Sequence, residues 1–179
     1  MQVYLALYGL IGVEYKYLVA KKNCCARFYD HKRSKKAIPI PFDHGPNSWV
    51  FPGGSANSIN HLQEAYREFE EETGIQEMMI EKDGNAISIK TKRYTVFFVK
   101  CFNLVDIFNK AYNNLGNIEI IKDDELFTVE LVTSQIALSY FKESYNNSSW
   151  FIYALKKFLK RDVEKERLIN YPFAFLDDL

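Results

Sequence analysis

Residues 53 to 75 read GGSANSINHLQEAYREFEEETGI, and the rest of the chain is understood from this stretch. Ser58 supplies an N-cap oxygen and Gly74 sits where a left-handed residue ends a helix, so a helix is expected from about Ser58 to Thr73. At about 100° per residue, with Glu68 as reference, Glu71 lies about 60° to one side, and Glu72 and Glu64 lie about 40° off. Four carboxylates therefore share one narrow face, and Glu70 points away from it. Like charges three and four residues apart destabilise a helix unless something neutralises them. A solvated acidic face is the plain reading, and a bound divalent cation is the chemical one. Oxygen-only donors suit hard ions such as Mg2+ or Mn2+, and Mg2+ characteristically bridges carboxylates to phosphate oxygens. Arg67 is placed to pair with one of the carboxylates and hold its orientation. Pro52-Gly53-Gly54, just upstream, lets the backbone approach an ion or a phosphate closely.

Working outward, Trp49-Val50-Phe51 reads as a short strand stopped by Pro52-Gly53-Gly54. Val3 to Ala20 reads as one or two buried strands, with Gly9 and Gly12 marking a bend or bulge. Lys21 to Asn47 is a long loop carrying the basic run His31-Lys32-Arg33-Ser34-Lys35-Lys36. On the other side, Ala86 to Lys90, Tyr94 to Phe102 and Leu126 to Val132 read as strands. Val105 to Asn113 reads as a helix, Thr133 caps another, and Ser148 or Ser149 caps a last one. The last helix carries an apolar stripe of Phe151, Ala154, Leu155, Phe158 and Leu159.

Composition bounds the function. The chain has 179 residues and is 47% hydrophobic, which supports a packed core and argues against disorder. Its 23 basic and 23 acidic residues balance, so no broad basic field for nucleic acid is present. Three cysteines, two of them adjacent, give neither a disulfide framework nor a zinc spacing. The apolar run from Met1 to Val13 has no basic residue before it and is too short to span a membrane. The expectation is a cytoplasmic enzyme or binding module.

The 53–75 segment resembles the box of the Nudix hydrolases, G-x5-E-x7-R-E-U-x-E-E-x-G-U with U bulky and apolar. Arg67-Glu68-Phe69-Glu70-Glu71-Glu72-Thr73-Gly74-Ile75 fits every defined position of its second half, and Gly53 stands at the required distance before Arg67. The resemblance implies an α/β fold of the Nudix type, an α/β/α sandwich with a mixed central sheet. A C-terminal helix at about 149–168 follows, and residues 1–179 make one domain. It also implies a Mg2+- or Mn2+-dependent hydrolase that cleaves a diphosphate linkage in a small nucleotide. Candidate substrates are a nucleoside diphosphate sugar, a dinucleotide or a nucleoside triphosphate.

By the same resemblance Glu68, Glu71, Glu72 and the Gly53 carbonyl hold metal, and Arg67, Glu68 and Glu71 act in catalysis. A further acid from a later loop is expected at Glu125, in Asp123-Asp124-Glu125, with Glu119 behind it. Gly54, Arg27 and Lys35 are candidates for substrate contact. One position departs from the pattern: Ile59 stands where the box has its first Glu, and a one-residue gap would put Asn57 or Asn60 there instead. Glu64, on the same helix face, is the candidate substitute. Ile59 also motivates a second expectation, a nucleotide-binding or regulatory module without turnover. Capped RNA is not favoured, and no membrane partner is expected.

Overall fold

The computed structural model describes residues 1–26, 40–41, 46–117, 119–122, 124–144 and 149–170, with backbone alone for 25–26, 40–41 and 162–170. Its elements in order are β1 (Gln2–Ile11), β2 (Glu14–Lys22), β3 (Cys25–Ala26), β4 (Ile40–Pro41), β5 (Trp49–Val50), β6 (Gly53–Ser55) and α1 (His61–Thr73). A 3₁₀ turn at Glu77–Met79 leads to β7 (Ile87–Lys90), β8 (Tyr94–Lys100), α2 (Leu104–Asn114), β9 (Leu126–Val132), α3 (Ser134–Glu143) and α4 (Ser149–Asn170).

β1 and β2 form a hairpin, but they pair only from Tyr8↔Tyr17 to Ile11↔Glu14, beside the turn. Beyond that the strands part like a fork. β5 enters the fork and pairs with β2, and β6 continues along β1. Between them, the Leu5 N–H donates to the Pro52 carbonyl at 2.9 Å. The outer side of β1 pairs in parallel with β8, and β8 pairs antiparallel with β7. β9 runs antiparallel along the outer side of β2. The result is a mixed sheet with β1 at its centre.

Alternation along the strands sorts the core into two layers, as a period of two requires. Val3, Leu5, Leu7, Leu18, Ala20, Phe97 and Val99 face α1 and α2, against Ala65, Phe69, Leu104, Ile107 and Ala111. Ala6, Tyr8, Tyr17, Val19, Val96 and Phe98 face α3 and α4, against Ala137, Phe141, Phe151, Leu155 and Phe158. The expected α/β/α sandwich is present, and the stripe on the last helix is core. Phe51 anchors the wedge on the α3–α4 side, with its ring edge-on to Phe98, Phe141 and Phe151.

Several local expectations are corrected. α1 begins at His61, because Asn60, not Ser58, accepts from the Gln63 N–H. The Ser58 hydroxyl instead accepts from the Asn60 N–H, inside the loop. Gly9 makes no bend: it lies mid-strand, where a Cβ would overlap the Cys101 carbonyl, and the turn falls at Gly12 with φ 64°. Gly53 and Gly54 do not stop a strand but form one. The last helix, expected at about 149–168, runs Ser149–Asn170. Within the 21–47 segment β3 pairs with β4, while the basic run, Arg27, Lys35 and Asp123 lie outside the described residues.

Phe158 is fully buried and stacks on Phe98 at a centroid distance of 4.1 Å. Phe158→Ala should therefore cost about 3–5 kcal/mol in urea unfolding. A loss under about 1 kcal/mol would show that α4 is not part of the core.

Candidate active site

β6 delivers the chain from the centre of the sheet into α1, and the two glycines make that path possible. Gly53 has φ 149°, and a Cβ there would overlap the Val3 carbonyl and the Tyr4 backbone. Gly54 faces the helix, where a Cβ would overlap the Glu68 carboxylate. One glycine lets β6 lie against β1, and the other leaves a cradle that Glu68 fills. Gly74 closes the helix as expected, with φ 70° and its N–H donating to the Glu70 carbonyl.

Glu64, Glu68 and Glu71 all turn toward one guanidinium. Arg67 Nη1 lies 2.6 Å from Glu71 Oε2, Nη2 lies 3.0 Å from Glu64 Oε2, and Nη2 also binds Glu68. Nη2 donates to the Ser55 carbonyl as well, at 3.2 Å, which ties the helix to the end of β6. A planar fork with five N–H donors suits such sharing. Lys122 comes in from the side, 3.6 Å from Glu71 Oε1.

Glu72, only 2% exposed, faces the glycines and accepts the Gly53 N–H at 2.8 Å. Glu70 points away, within 3.5 Å of Gln76 Nε2. Ile59 is 99% exposed. Glu64 holds the loop around it, accepting the Asn57 N–H at 3.1 Å.

The electrostatics separate these acids. The Asn57 N–H, with help from Arg67, holds the Glu64 carboxyl below its ordinary value despite its burial. Burial pushes the Glu68 carboxyl up and outweighs Arg67, with Glu71 and Glu125 adding to the rise. Burial raises the Tyr4 phenol, and the charges of Glu72, Glu125 and Glu68 add to the rise.

Glu125 lies within electrostatic reach of Tyr4 and Glu68 and pairs with Lys22 at 2.6 Å. Asp124 is buried beside it, whereas Glu119 lies exposed in the turn after α2. Lys22, Lys122 and Tyr4 were missed from the sequence. Lys22 ends a strand, Lys122 sits in a loop and Tyr4 sits inside a strand, and none has a pattern marking it.

Among the described residues, no group of three or more His, Cys, Asp or Glu side chains is gathered as a metal cage. Arg67 holds the carboxylates in that arrangement. The donor set still fits a hard divalent ion: it is all oxygen, and Gly54 sets no side chain of its own against the Glu68 carboxylate. No helix among the described residues is long and apolar enough to cross a membrane.

No protein-family model matches the chain, and no curated protein does. Solved structures do. An Ap4A hydrolase of C. elegans, in a binary complex, superposes with a TM-score of 0.54 at 13% identity, over 91% of this chain and 97% of that one. A mutT/nudix family protein from Listeria innocua gives 0.55 at 15% identity, over 93% and 94%. At these identities the likeness is one of fold.

A carboxyl with a raised value in the folded protein costs stability while it is ionised, and the cost is relieved as pH falls through that value. With metal chelated, Glu68→Gln should therefore melt higher than wild type near neutral pH, and the gap should narrow toward acid. A Glu68→Gln protein that melts lower would show that its bond to Arg67 outweighs its burial.

Proposed function

We propose that this chain, which has the Nudix fold, is a divalent-metal-dependent hydrolase of the Nudix family. It would cleave a diphosphate linkage in a small nucleotide. The observation that carries the reading is the acidic face of α1 set against the Gly53–Gly54 strand, with Glu68 in the cradle of Gly54. In this reading Glu68, Glu71, Glu72 and the Gly53 carbonyl hold Mg2+ or Mn2+. The ion would supply positive charge to the phosphate oxygens and lower the pKa of a bound water.

The remaining work falls to the chain. Arg67 gives up part of its shared contacts and keeps a carboxylate oriented. Glu68 is the first candidate for proton acceptor, since burial and its acidic neighbours already raise its affinity for a proton. Glu125 is the second. Gly54 offers unhindered backbone to the substrate, and Arg27 and Lys35 are proposed to meet its phosphates or its tail. Glu64 stands in for the acid absent at Ile59, and its bond to Asn57 keeps the loop closed over the helix.

A second reading has its own support. Ile59 faces solvent, and Arg67 already neutralises three of the carboxylates. A chain so arranged can bind a nucleotide without turning it over.

Product release from a panel of nucleoside diphosphate compounds, in Mg2+, Mn2+ or EDTA, separates the two readings. The hydrolase reading expects turnover that EDTA abolishes. No release from any compound, with nucleotide still bound, favours the module.

Within the panel, Glu71→Gln and Glu72→Gln should each lower kcat by about a hundredfold or more. Both should leave the fold nearly intact, because a glutamine at position 72 still accepts the Gly53 N–H. Glu70→Gln should be silent. Full activity in Glu72→Gln would remove it from the metal ligands.

Comparing Glu68→Gln with Glu125→Gln identifies the base. The larger loss of kcat at little-changed KM marks the group that acts in the transition state.

A further inference from the structure

Lys22 ends β2 at the rim of the carboxylate cluster. The ladder between β2 and β9 holds its register from Tyr17 to Lys21 and shifts between Lys21 and Lys22. Irregularities of this kind re-aim side chains and occur often beside active sites. Here the result is the ion pair between Lys22 Nζ and Glu125 Oε2. Backbone bonds fix both ends of it. The Lys22 N–H donates to the Ser48 carbonyl at 2.9 Å, and the Asn23 N–H donates to the Glu125 carbonyl at 2.7 Å. The Asn23 side chain adds bonds to the carbonyls of Asp124 and Leu126. The pair is built into the junction of two strands, within electrostatic reach of Glu68.

We propose that Lys22 is a phosphate-binding residue of the site, held by Glu125 until a diphosphate anion replaces the carboxylate on its ammonium. The inference rests on the hydrolase reading above. A lysine ammonium is a compact charge on a flexible stem, able to turn between two anions while its strand stays in place. A diphosphate offers more charge and more acceptors than one carboxylate. Both side chains keep some solvent contact, 21% for Lys22 and 16% for Glu125. Water therefore takes over at Glu125 when the ammonium leaves, and the carboxylate is not stranded in a dry interior. Substrate binding and the release of Glu125 are then one event.

The test is calorimetric binding of α,β-methylene-ADP, whose bridging carbon resists hydrolysis, in the presence of Mg2+. Lys22→Met should weaken binding about tenfold through loss of a charge-assisted bond, and Lys22→Arg should restore most of it. Glu125→Gln, by removing the charge that holds the ammonium, should tighten binding about two- to fivefold. That tightening should vanish in the Lys22→Met background. Should Lys22→Met fail to fold, Lys22→Gln carries the same comparison.

Opposite signs from the two halves of one ion pair are the signature. A pair that only fastens β2 to β9 would lower the melting temperature of both variants and leave affinity unmoved, and that result overturns the proposal. Tightening that persists in the double variant also overturns it, since simple repulsion by Glu125 would then explain the gain. In either case a wild type that binds the analogue leaves the hydrolase reading standing. A wild type that neither binds the analogue nor hydrolyses any diphosphate removes both.

Discussion

The fork in the β1–β2 hairpin is the constraint from which the rest of the architecture follows. Two strands that separate after a short ladder leave backbone donors and acceptors facing each other across a gap. In a buried sheet those groups must find partners. The segment from Trp49 to Ser55 supplies them, pairing first with β2, bonding through Pro52 to Leu5, and then pairing with β1. The same segment leads through the loop at 56–60 into α1, which lies over the sheet at that spot. A side chain at 53 would meet the β1 backbone, so only glycine serves there, while one at 54 would displace the Glu68 carboxylate. The acidic helix is thus placed by backbone bonding at the centre of the sheet.

Charge works against that placement. α1 carries its acids where burial and mutual repulsion oppose their ionisation, and the chain meets the cost unevenly. Glu64 is well provided for by the Asn57 N–H and Arg67. Glu68, one turn on, is not, because its burial outweighs the same arginine. Acids with shifted values cluster at functional sites, and structural ion pairs shift them too. Glu72 shows the other solution, a carboxylate made part of the scaffold through the Gly53 amide.

Much of this was legible in the sequence, for reasons that differ residue by residue. The shared face of Glu64, Glu68, Glu71 and Glu72, the outward aim of Glu70 and the cap at Gly74 follow from helix periodicity and glycine's conformational freedom, which are local properties. The start of α1 was misread because Ser58 and Asn60 are both good caps. The choice between them is made by the loop, where Ser58 binds the Asn60 N–H and Glu64 binds the Asn57 N–H. Gly9 was misread because its need for space comes from the Cys101 carbonyl, far away in the chain. Lys22 and Tyr4 reach the site through strand pairing, which composition and spacing do not encode. Glu125, expected from the acidic turn, pairs with Lys22, while Glu119, expected behind it, stays in solvent.

The parallel pairing of β1 with β8 sets the order of assembly. Gln2 lies opposite Tyr94, and the wedge and α1 both fall between them in the chain. The hairpin of β1 and β2 can close early, since its contacts are local. β1 then waits, with Val3, Leu5 and Leu7 on one face and Ala6 and Tyr8 on the other, until a partner from much later in the sequence arrives. Contacts of such separation are slow to form, and an unpaired apolar strand is open to the wrong neighbours meanwhile. The strand that centres the finished sheet therefore depends on a late partner, and whatever shortens that wait protects the yield of native protein.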